Sequence, residues 1–437
     1  MKRIAPVFLF ALLFSVAAGA AEAPSSEPIA WRRWSDDLFE TAKKENKLVI
    51  LDLEAVWCHW CHVMADTTYK DPQVVKLIGD HYLAVRVDQD ADPELSLKYE
   101  EWGWPATIVF SPDGQELVKR RGYIPPAPMA SLLDAVVKDP TPGPSVKAET
   151  EIPPAPAGTL APEDRKALEA AHDAVWDETN GGWGSGHKLI DWPSLEYAMK
   201  RARAGDKTQE ARARRTLDQA LNLMDREWGG FFQYSDQDDW KSPHYEKIMS
   251  IQAQYLRAYS LAYAIWKDPK YLDAAVKVTD FVGDYWTSPE DAFCTSQDAD
   301  VDEATPGQAF YSLDDKGRRA LGKLPRIDAH VYARENGWMI ASLASLYDVT
   351  GEPHYLMAAV QAARWIVENR SLKDGGFRHD AEDRSGPYLG DTLAMGQAFL
   401  ALYVSSGERE WLDRAEKAAD FIDAKFRAAD GGFVSTA

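Results

Sequence analysis

The sequence predicts a small mixed α/β domain over residues 28–138, followed by an all-α, toroid-like domain of helical hairpins over 163–437. Three observations support this fold class. Short apolar runs rich in branched residues flank a Cys-x-x-Cys pair in the first part. A Gly-Gly-aromatic turn recurs through the second part, and a proline-rich stretch separates the two. Global disorder is excluded, because 45% of the residues are hydrophobic and 27% are charged.

Residues 1–20 have the pattern of a secretory signal peptide. Two basic residues at positions 2 and 3 precede an apolar run over 4–18, and Ala18-Gly19-Ala20 provides a cleavage site of small residues. We therefore expect cleavage after Ala20 and a mature protein that is exported, either to the periplasm or into the medium. No later segment predicts a membrane span.

The composition narrows the classes of partner. The net charge is −20, because 69 acidic residues outnumber 49 basic ones. Nucleic acid is therefore not expected as a partner, since binding phosphates needs a positive face. An exported chain can form disulfides, yet this one has only three cysteines. Disulfides are thus not its means of stability, and the closely spaced pair Cys58 and Cys61 is expected to carry chemistry.

The α/β domain is predicted in the order helix, strand, helix, strand, strand, strand, helix. Leu48–Leu53 is a branched apolar run that suits a buried strand, and Ser111-Pro112-Asp113-Gly114 predicts a hairpin turn. The other elements are helices at 36–45, 58–78 and 129–137 and strands at 83–87, 107–110 and 117–120.

The stretch 139–162 contains seven prolines and predicts a semi-rigid linker. After it, Gly-Gly-aromatic turns at 181–183, 229–231, 375–377 and 431–433, with a degenerate copy at 291–293, indicate repeated hairpins. About nine helices follow from this pattern, roughly at 162–177, 191–204, 207–226, 245–266, 269–286, 328–349, 353–370, 388–405 and 408–427. The long loops after the turns, of which 294–327 is the longest, are predicted to share one rim, where binding sites are commonly built.

The Cys-x-x-Cys pair is the main candidate for chemistry. A predicted strand is followed by Cys58 at the start of a predicted helix. There, free backbone N–H groups and the helix dipole favour a thiolate. The imidazoles of His59 and His62 could add positive charge, and Cys61, one turn further, could resolve a mixed disulfide. Asp52, on the preceding strand, could take the proton of Cys61.

Other interpretations of this pair remain open at the level of the residues. Cys58-His59-Trp60-Cys61-His62 also contains the attachment pattern of c-type haem. A zinc site built from both cysteines and both histidines would strain ligands on one helical turn. A third alternative is a redox-inert structural disulfide. We predict a redox pair with neither a cofactor nor a metal.

The first domain resembles thioredoxin. The resemblance rests on Asp52, five intervening residues, the Cys58–Cys61 pair and, further on, Gly103-Trp104-Pro105-Ala106-Thr107. It implies that Pro105 is cis and faces the disulfide, and that Trp57 is the aromatic residue preceding the first cysteine. Thiols or disulfides of other proteins are then the expected partners.

The whole chain resembles the spermatogenesis-associated thioredoxin-like family. The motifs are Cys58-His59-Trp60-Cys61-His62-Val63-Met64, Asp88-Gln89-Asp90, Pro243-His244-Tyr245-Glu246-Lys247, Ser296-Gln297-Asp298-Ala299-Asp300 and Asn336-Gly337-Trp338-Met339-Ile340, in this order. The resemblance implies a thioredoxin domain ahead of a six-hairpin, glycosidase-like α/α toroid. Nine helices are fewer than six hairpins contain, so an open arc is one expectation.

Candidate residues of the toroid rim are Asp236, His244, Glu246, Asp298, Asp300, His330, His379 and Asp391. Carboxylate pairs can serve as acid and base in glycoside hydrolysis, and histidine can shuttle protons in epimerisation. The same residues could instead cap helices and hold loops. We expect His244, Glu246, Asp298 and Asp300 to line the main concave site, separate from the redox chemistry. Cys294 is most simply a buried apolar residue.

Three functions follow from these features. The favoured one is an exported thiol–disulfide oxidoreductase whose α/α domain recruits a substrate or partner. The second is a carbohydrate-active or carbohydrate-binding protein with an accessory thioredoxin domain, and the third is a non-enzymatic interaction scaffold.

Overall fold

The computed structural model describes residues 28–146, 160–429 and 431–437. The predicted signal peptide and the centre of the predicted linker therefore lie outside the described residues. Across the described ranges, no helix combines the length and apolarity needed to cross a membrane.

The first domain is built on one four-stranded sheet. Its strands are β1 (Leu48–Glu54), β2 (Tyr82–Asp88), β3 (Ala106–Phe110) and β4 (Glu116–Arg121), in the spatial order β2-β1-β3-β4. β1 pairs in parallel with β2 and antiparallel with β3, and the predicted turn joins β3 to β4 as a hairpin. Val49, Ile50 and Leu51 are fully buried, which explains the continuous apolar run of the central strand. The mixed α/β prediction is confirmed.

Five helices accompany the sheet: α1 (Leu38–Glu45), α2 (His59–Asp66), α3 (Pro72–His81), α4 (Pro93–Tyr99) and α5 (Pro126–Lys138). The prediction of one continuous helix over 58–78 is wrong. The helix is interrupted before Asp71. The Asp71 carboxylate accepts the backbone N–H of Gln73 at 2.9 Å and so caps a new helix. Asp92 caps the unpredicted α4 in the same way, by accepting from the Leu95 N–H at 3.1 Å.

The second domain is helical, as predicted. It begins with α6 (Pro162–Ala174) and continues with the hairpins α7 (Trp192–Arg203) with α8 (Lys207–Ala220) and α9 (Met249–Trp266) with α10 (Pro269–Tyr285). Two short helices, α11 (Gly307–Tyr311) and α12 (Asp315–Ala320), lie in the longest loop and were not predicted. The hairpins α13 (Ala333–Thr350) with α14 (Pro353–Arg370) and α15 (Leu389–Ser406) with α16 (Arg409–Phe426) complete the described part.

The Gly-Gly-aromatic turns have one repeated geometry. In each, the aromatic residue forms a short antiparallel bridge with a residue just after the preceding helix, as in Met224 with Phe231 and Ser371 with Phe377. In the degenerate copy, Asp291 stands where the others have their first glycine and adopts a left-handed φ of 64°. Asp tolerates this conformation better than most residues, so the turn survives without glycine.

The helices α7, α9, α13 and α15 form the inner layer of the hairpins. They pack side by side in this order, while α8, α10, α14 and α16 lie behind them. The Ser342 hydroxyl on α13 donates to the Ala253 carbonyl on α9 at 2.8 Å, which joins two inner helices. Gly337 allows α13 to approach the Ala394 backbone on α15, where a Cβ atom would come within 2.7 Å.

Short strands gather the rim loops of this domain. β5 (Tyr234–Ser235) pairs with β6 (Pro243–His244), and β7 (Lys247–Ile248), β8 (Ser296–Gln297) and β9 (Ile327–Asp328) form a second small sheet. As a result, the loop before α9, the loop that follows α10 and the loop before α13 lie next to one another.

A buried ion cluster anchors β7. The Asp225 carboxylate accepts from Lys247 Nζ at 2.9 Å and from both terminal nitrogens of Arg318, at 2.7 and 2.9 Å. All three side chains are at most 1% exposed. Burial alone raises the pKa of Asp225, but the two cations outweigh it and hold that pKa below its usual value.

We predict that Asp225→Asn strongly destabilises the protein. It leaves two buried cations without their carboxylate, which costs about 3–5 kcal/mol in free energy of unfolding. Thermal unfolding of purified protein measures the effect. Asp413→Asn is the control, because its partner Arg409 is exposed and such pairs contribute less than about 1 kcal/mol. Equal unfolding midpoints for the two variants would contradict the structural role of the cluster.

Candidate functional site

The Cys58–Cys61 pair lies at the junction of β1 and α2. The two residues form a disulfide with a Cα–Cα distance of 5.3 Å. Cys58 is the N-cap of α2, and its sulfur accepts the backbone N–H of Cys61 at 3.1 Å. A sulfur in this position faces free N–H groups and the positive end of the helix dipole, which favours a thiolate after reduction.

Both cysteines of the pair are buried. Cys58 is 4% exposed and Cys61 is 3% exposed. They pack with Trp57 and Trp104 of their own domain and with Ile248, which lies directly before α9. The helical domain thus covers the disulfide, an arrangement that neither domain's sequence could indicate separately.

The remaining thioredoxin-like residues surround the pair. The Trp104–Pro105 peptide bond is cis, as the resemblance implied. Trp57 is buried, and its indole N–H donates to Asp90 Oδ2 at 2.8 Å. Trp60 is the exposed member of the motif, at 45%, and it stacks on Tyr123 with ring centroids 5.7 Å apart.

Asp52 is buried beneath the motif and has a partner that the sequence analysis missed. Arg86 on β2 donates to Asp52 Oδ2 at 2.9 Å, and it contacts Glu54 at 3.2 Å. Burial raises the pKa of Asp52 and also raises that of Glu54 to about 7. Position 86 pairs with position 52 across the parallel strands, so strand register could have identified it.

Two rim carboxylates contact the histidines of the motif. His59 Nδ1 is hydrogen-bonded to the Asp300 carboxylate, and His62 Nδ1 lies 3.3 Å from Asp298 Oδ2. The hydrogen bond to Asp300 raises the pKa of His59. Burial lowers the pKa of His62 and raises that of Asp298 to about 7. The Asp298 carboxyl in this second contact therefore gains or loses its proton near neutral pH.

Glu246 and His244 extend this cluster. Glu246 Oε1 accepts the backbone N–H of His59 at 3.4 Å, and Glu246 Oε2 lies 3.6 Å from His244 Nδ1. Burial lowers the pKa of His244, but Glu246 outweighs this and raises it. The four rim residues therefore lie close together beside the cysteine motif. Their separation from the redox pair was a wrong prediction, because they face the cysteine motif directly.

His379 and Asp391 form a second contact between the domains. His379 Nδ1 lies 2.8 Å from Asp391 Oδ1, and His379 Nε2 donates to the Asp90 carbonyl at 2.6 Å. Burial lowers the pKa of this fully enclosed histidine, but Asp391 outweighs burial and raises it to about 9. A protonated ring can donate from both nitrogens, which fits the two acceptors.

The remaining candidates lie nearer the surface or in the core. His330 Nδ1 contacts Asp328 at 2.5 Å, and its ring stacks on Tyr332. Asp236 is largely exposed, 3.6 Å from His244. Cys294 is 6% exposed within the helical core, where burial raises its pKa to about 11. Within the described ranges, no group of three His, Cys, Asp or Glu side chains is arranged to hold a metal ion.

Arg384 also ties the domains together. Its guanidinium donates to Asp92 Oδ2 at 2.6 Å and to Glu94 Oε2 at 2.8 Å, both at the start of α4. The sequence analysis did not identify this residue, since no local pattern relates a loop of the helical domain to α4.

Comparisons with known proteins support the thioredoxin-like character of the first domain. Residues 21–137 match the family model Thioredox_DsbH, described as "Protein of unknown function, DUF255". Human spermatogenesis-associated protein 20 is 25% identical over 62% of this chain, and this chain spans 39% of that protein's length. Thioredoxin of Staphylococcus epidermidis is 31% identical over 21% of this chain and 86% of its own length.

Among solved structures, the GH76 α-mannanase BT2949 of Bacteroides thetaiotaomicron matches 63% of this chain and 72% of its own chain. Its TM-score is 0.46 and its sequence identity is 17%. In sequence, residues 21–137 are thus similar to the Thioredox_DsbH (DUF255) family, and a longer part of the chain is similar to spermatogenesis-associated protein 20.

Proposed function

We propose that the protein is an exported thiol–disulfide oxidoreductase acting on cysteines of other proteins. The observation that carries this proposal is the Cys58–Cys61 disulfide at the N-terminus of α2, with the Cys58 sulfur at the N-cap. The similarity to thioredoxin and to the thiol:disulfide interchange protein DsbD of Pseudomonas fluorescens supports the same chemistry. Export rests on the signal-peptide pattern of residues 1–20.

The reaction proceeds through two exchanges. In the reduced protein, the Cys58 thiolate attacks a disulfide of the partner, forms a mixed disulfide and releases one partner thiolate. The Cys61 thiolate then attacks the Cys58 sulfur, which closes the Cys58–Cys61 disulfide and releases the second partner thiolate. The partner gains two electrons and this protein loses two, and the reverse sequence oxidises a dithiol partner.

The helical domain tunes this chemistry through His59. The Asp300 carboxylate favours the imidazolium form of His59, which lies next to Cys58 in the chain. An adjacent positive charge lowers the pKa of a thiol, so Asp300 acts on Cys58 through His59 as a positioning residue.

Access to the disulfide requires movement. Both cysteines are buried, and Ile248 packs against the cluster that they form with Ala55 and Trp57. A protein partner therefore reaches Cys58 only after Ile248 and its neighbouring loops move away. Exposed Trp60 offers an apolar surface beside the entrance.

We predict that Cys61→Ser accumulates mixed disulfides through Cys58, because the resolving thiol is absent. Non-reducing electrophoresis of the exported fraction detects the adducts. The Cys58→Ser, Cys61→Ser double variant is the control and forms none. Absence of adducts, together with alkylation of Cys58 no faster than that of an ordinary thiol at neutral pH, would refute the redox function.

We predict that Asp300→Asn raises the pKa of the Cys58 thiol by about one unit, because His59 loses the carboxylate that favours its charged form. The thiolate is then lost at a higher pH as the solution is acidified. Well below the original pKa, the reduced variant then alkylates about tenfold more slowly, because its thiolate fraction is about tenfold lower. The pH profile of iodoacetamide alkylation measures the shift.

Asp302→Asn is the matched control, since this residue lies on the same loop but pairs with Lys323 at the surface. Its profile should equal that of the unmodified protein. If Asp300→Asn and Asp302→Asn give the same profile in folded protein, the coupling through His59 does not exist.

A further inference from the structure

The Asp52 carboxylate is one of two acids on β1 that share a single cation. Glu54 follows it by two positions on the strand, so both side chains leave β1 on the same face. Arg86 on β2 contacts both, because its Nε lies 2.9 Å from Asp52 Oδ2 and 3.2 Å from Glu54 Oε2. One N–H cannot fully satisfy two carboxylates at once, so the two acids compete for it.

The two acids differ in their access to water. The Asp52 side chain is 3% exposed, and its other neighbours are Tyr69 and, across the strands, Thr107 on β3. The Glu54 side chain is 25% exposed, and among the described residues it has no other hydrogen-bond or ion-pair partner. Glu54 can therefore exchange its proton with water directly, whereas Asp52 cannot.

The third acid of this region does not compete for Arg86. Asp88 stands opposite Glu54 on β2, but its carboxylate already accepts three backbone N–H groups. These belong to Val56, Asp90 and Ala91, at distances of 2.8, 2.9 and 3.1 Å.

The helical domain adds charge near these acids but no contact to them. Arg326, directly before β9, lowers the pKa of Glu54 by its charge and forms no ion pair with it among the described residues. Asp328 raises the pKa of Asp88 in the same way. Arg86 is therefore the cation that Asp52 and Glu54 divide between them.

This arrangement couples the protonation of the two acids. Burial raises the pKa of both carboxyls, and that of Glu54 rises to about 7. Asp52 and Glu54 also repel each other when both are ionised, whereas Arg86 favours the ionised form of each. Protonation of either acid leaves Arg86 to the other, so the pair is most stable with one proton near neutral pH.

We propose that Glu54 controls how readily Asp52 accepts the proton of Cys61, because the two carboxyls compete for Arg86. The proposal rests on the redox function proposed above. The proton of the Cys61 thiol passes to the Asp52 carboxylate, and the resulting thiolate attacks Cys58. The bond between the two sulfurs forms, the bond from Cys58 to the partner breaks, and the partner leaves as a thiolate. Arg86 then pairs with Glu54, which releases its own proton to water.

Glu54 is thus a positioning residue, since it acts on Asp52 through Arg86 and touches neither sulfur nor substrate. The group around Arg86 holds one proton before and after the step, and the solvent gains the proton that Cys61 lost. No charge is added to the buried region beneath the disulfide, where an unpaired charge is costly.

The test follows the reaction of the fully reduced mature protein with the aromatic disulfide dithiobis-nitrobenzoate. Cys58 releases the first nitrothiobenzoate, and Cys61 releases the second when the disulfide closes, so the second phase reports on Cys61. A Cys294→Ser background removes the third thiol of the chain. Both phases are recorded as a function of pH.

Glu54→Gln should slow the second phase about tenfold near neutral pH and leave the first unchanged. Without its competitor, Asp52 has Arg86 to itself, which lowers the pKa of Asp52 by about one unit and makes it a weaker base. The acidic midpoint of the second phase should move down by the same amount. Below both midpoints the rates should converge, because the weaker base is then ionised in proportionately more of the molecules.

Glu54→Asp keeps the competing acid and should retain most of the second-phase rate. Glu45→Gln is the control, since Glu45 forms an exposed pair with Arg32 at 3.7 Å and should leave both phases unchanged. An unchanged second phase in folded Glu54→Gln, or a loss of equal size at every pH, would overturn the proposal. Absence of the first phase in the unmodified protein would instead refute the redox function itself.

Discussion

The contact between the cysteine motif and the rim of the helical domain determines how the molecule can work. His59 contacts Asp300, His62 contacts Asp298, and Ile248 packs against the buried cluster that contains both cysteines. Each domain thereby restricts the other. The two cysteines are almost inaccessible to solvent, and the side chains of Asp298 and Glu246 are 8% and 4% exposed. The surroundings of the redox pair are therefore built from both domains.

Buried charged side chains hold the two domains in this contact. Asp225 holds Lys247, and Lys247 lies between Glu246 and Ile248, the residues that face His59 and the cysteines. His379, Asp391 and Arg384 fix the opposite side of the interface through Asp90 and Asp92. Buried pairs of this kind contribute little net stability but strongly disfavour alternative arrangements once one member is present.

Local patterns in the sequence identified the elements but not how the domains meet. The Gly-Gly-aromatic turns located the hairpins, because each places its aromatic residue in the same bridge, and the cysteine motif located the start of α2. The Asp-Pro pairs at 71–72 and 92–93 are also recognisable in the sequence as helix starts, because each Asp caps a helix that begins at the Pro. The first was nevertheless placed inside one long predicted helix, and the helix after the second was not predicted. The pairing of His59 with Asp300 spans 241 positions, and no periodicity or spacing encodes such a contact.

The central claim is that the Cys58–Cys61 disulfide, which is buried where the two domains meet, is a working redox pair. The most direct test is the reduction potential of Cys58–Cys61 in the purified mature protein, measured by equilibration in thiol–disulfide buffers. The account predicts reversible two-electron reduction with a potential between about −270 and −120 mV, the range of proteins that exchange disulfides. A potential below about −300 mV, typical of structural disulfides, would contradict it.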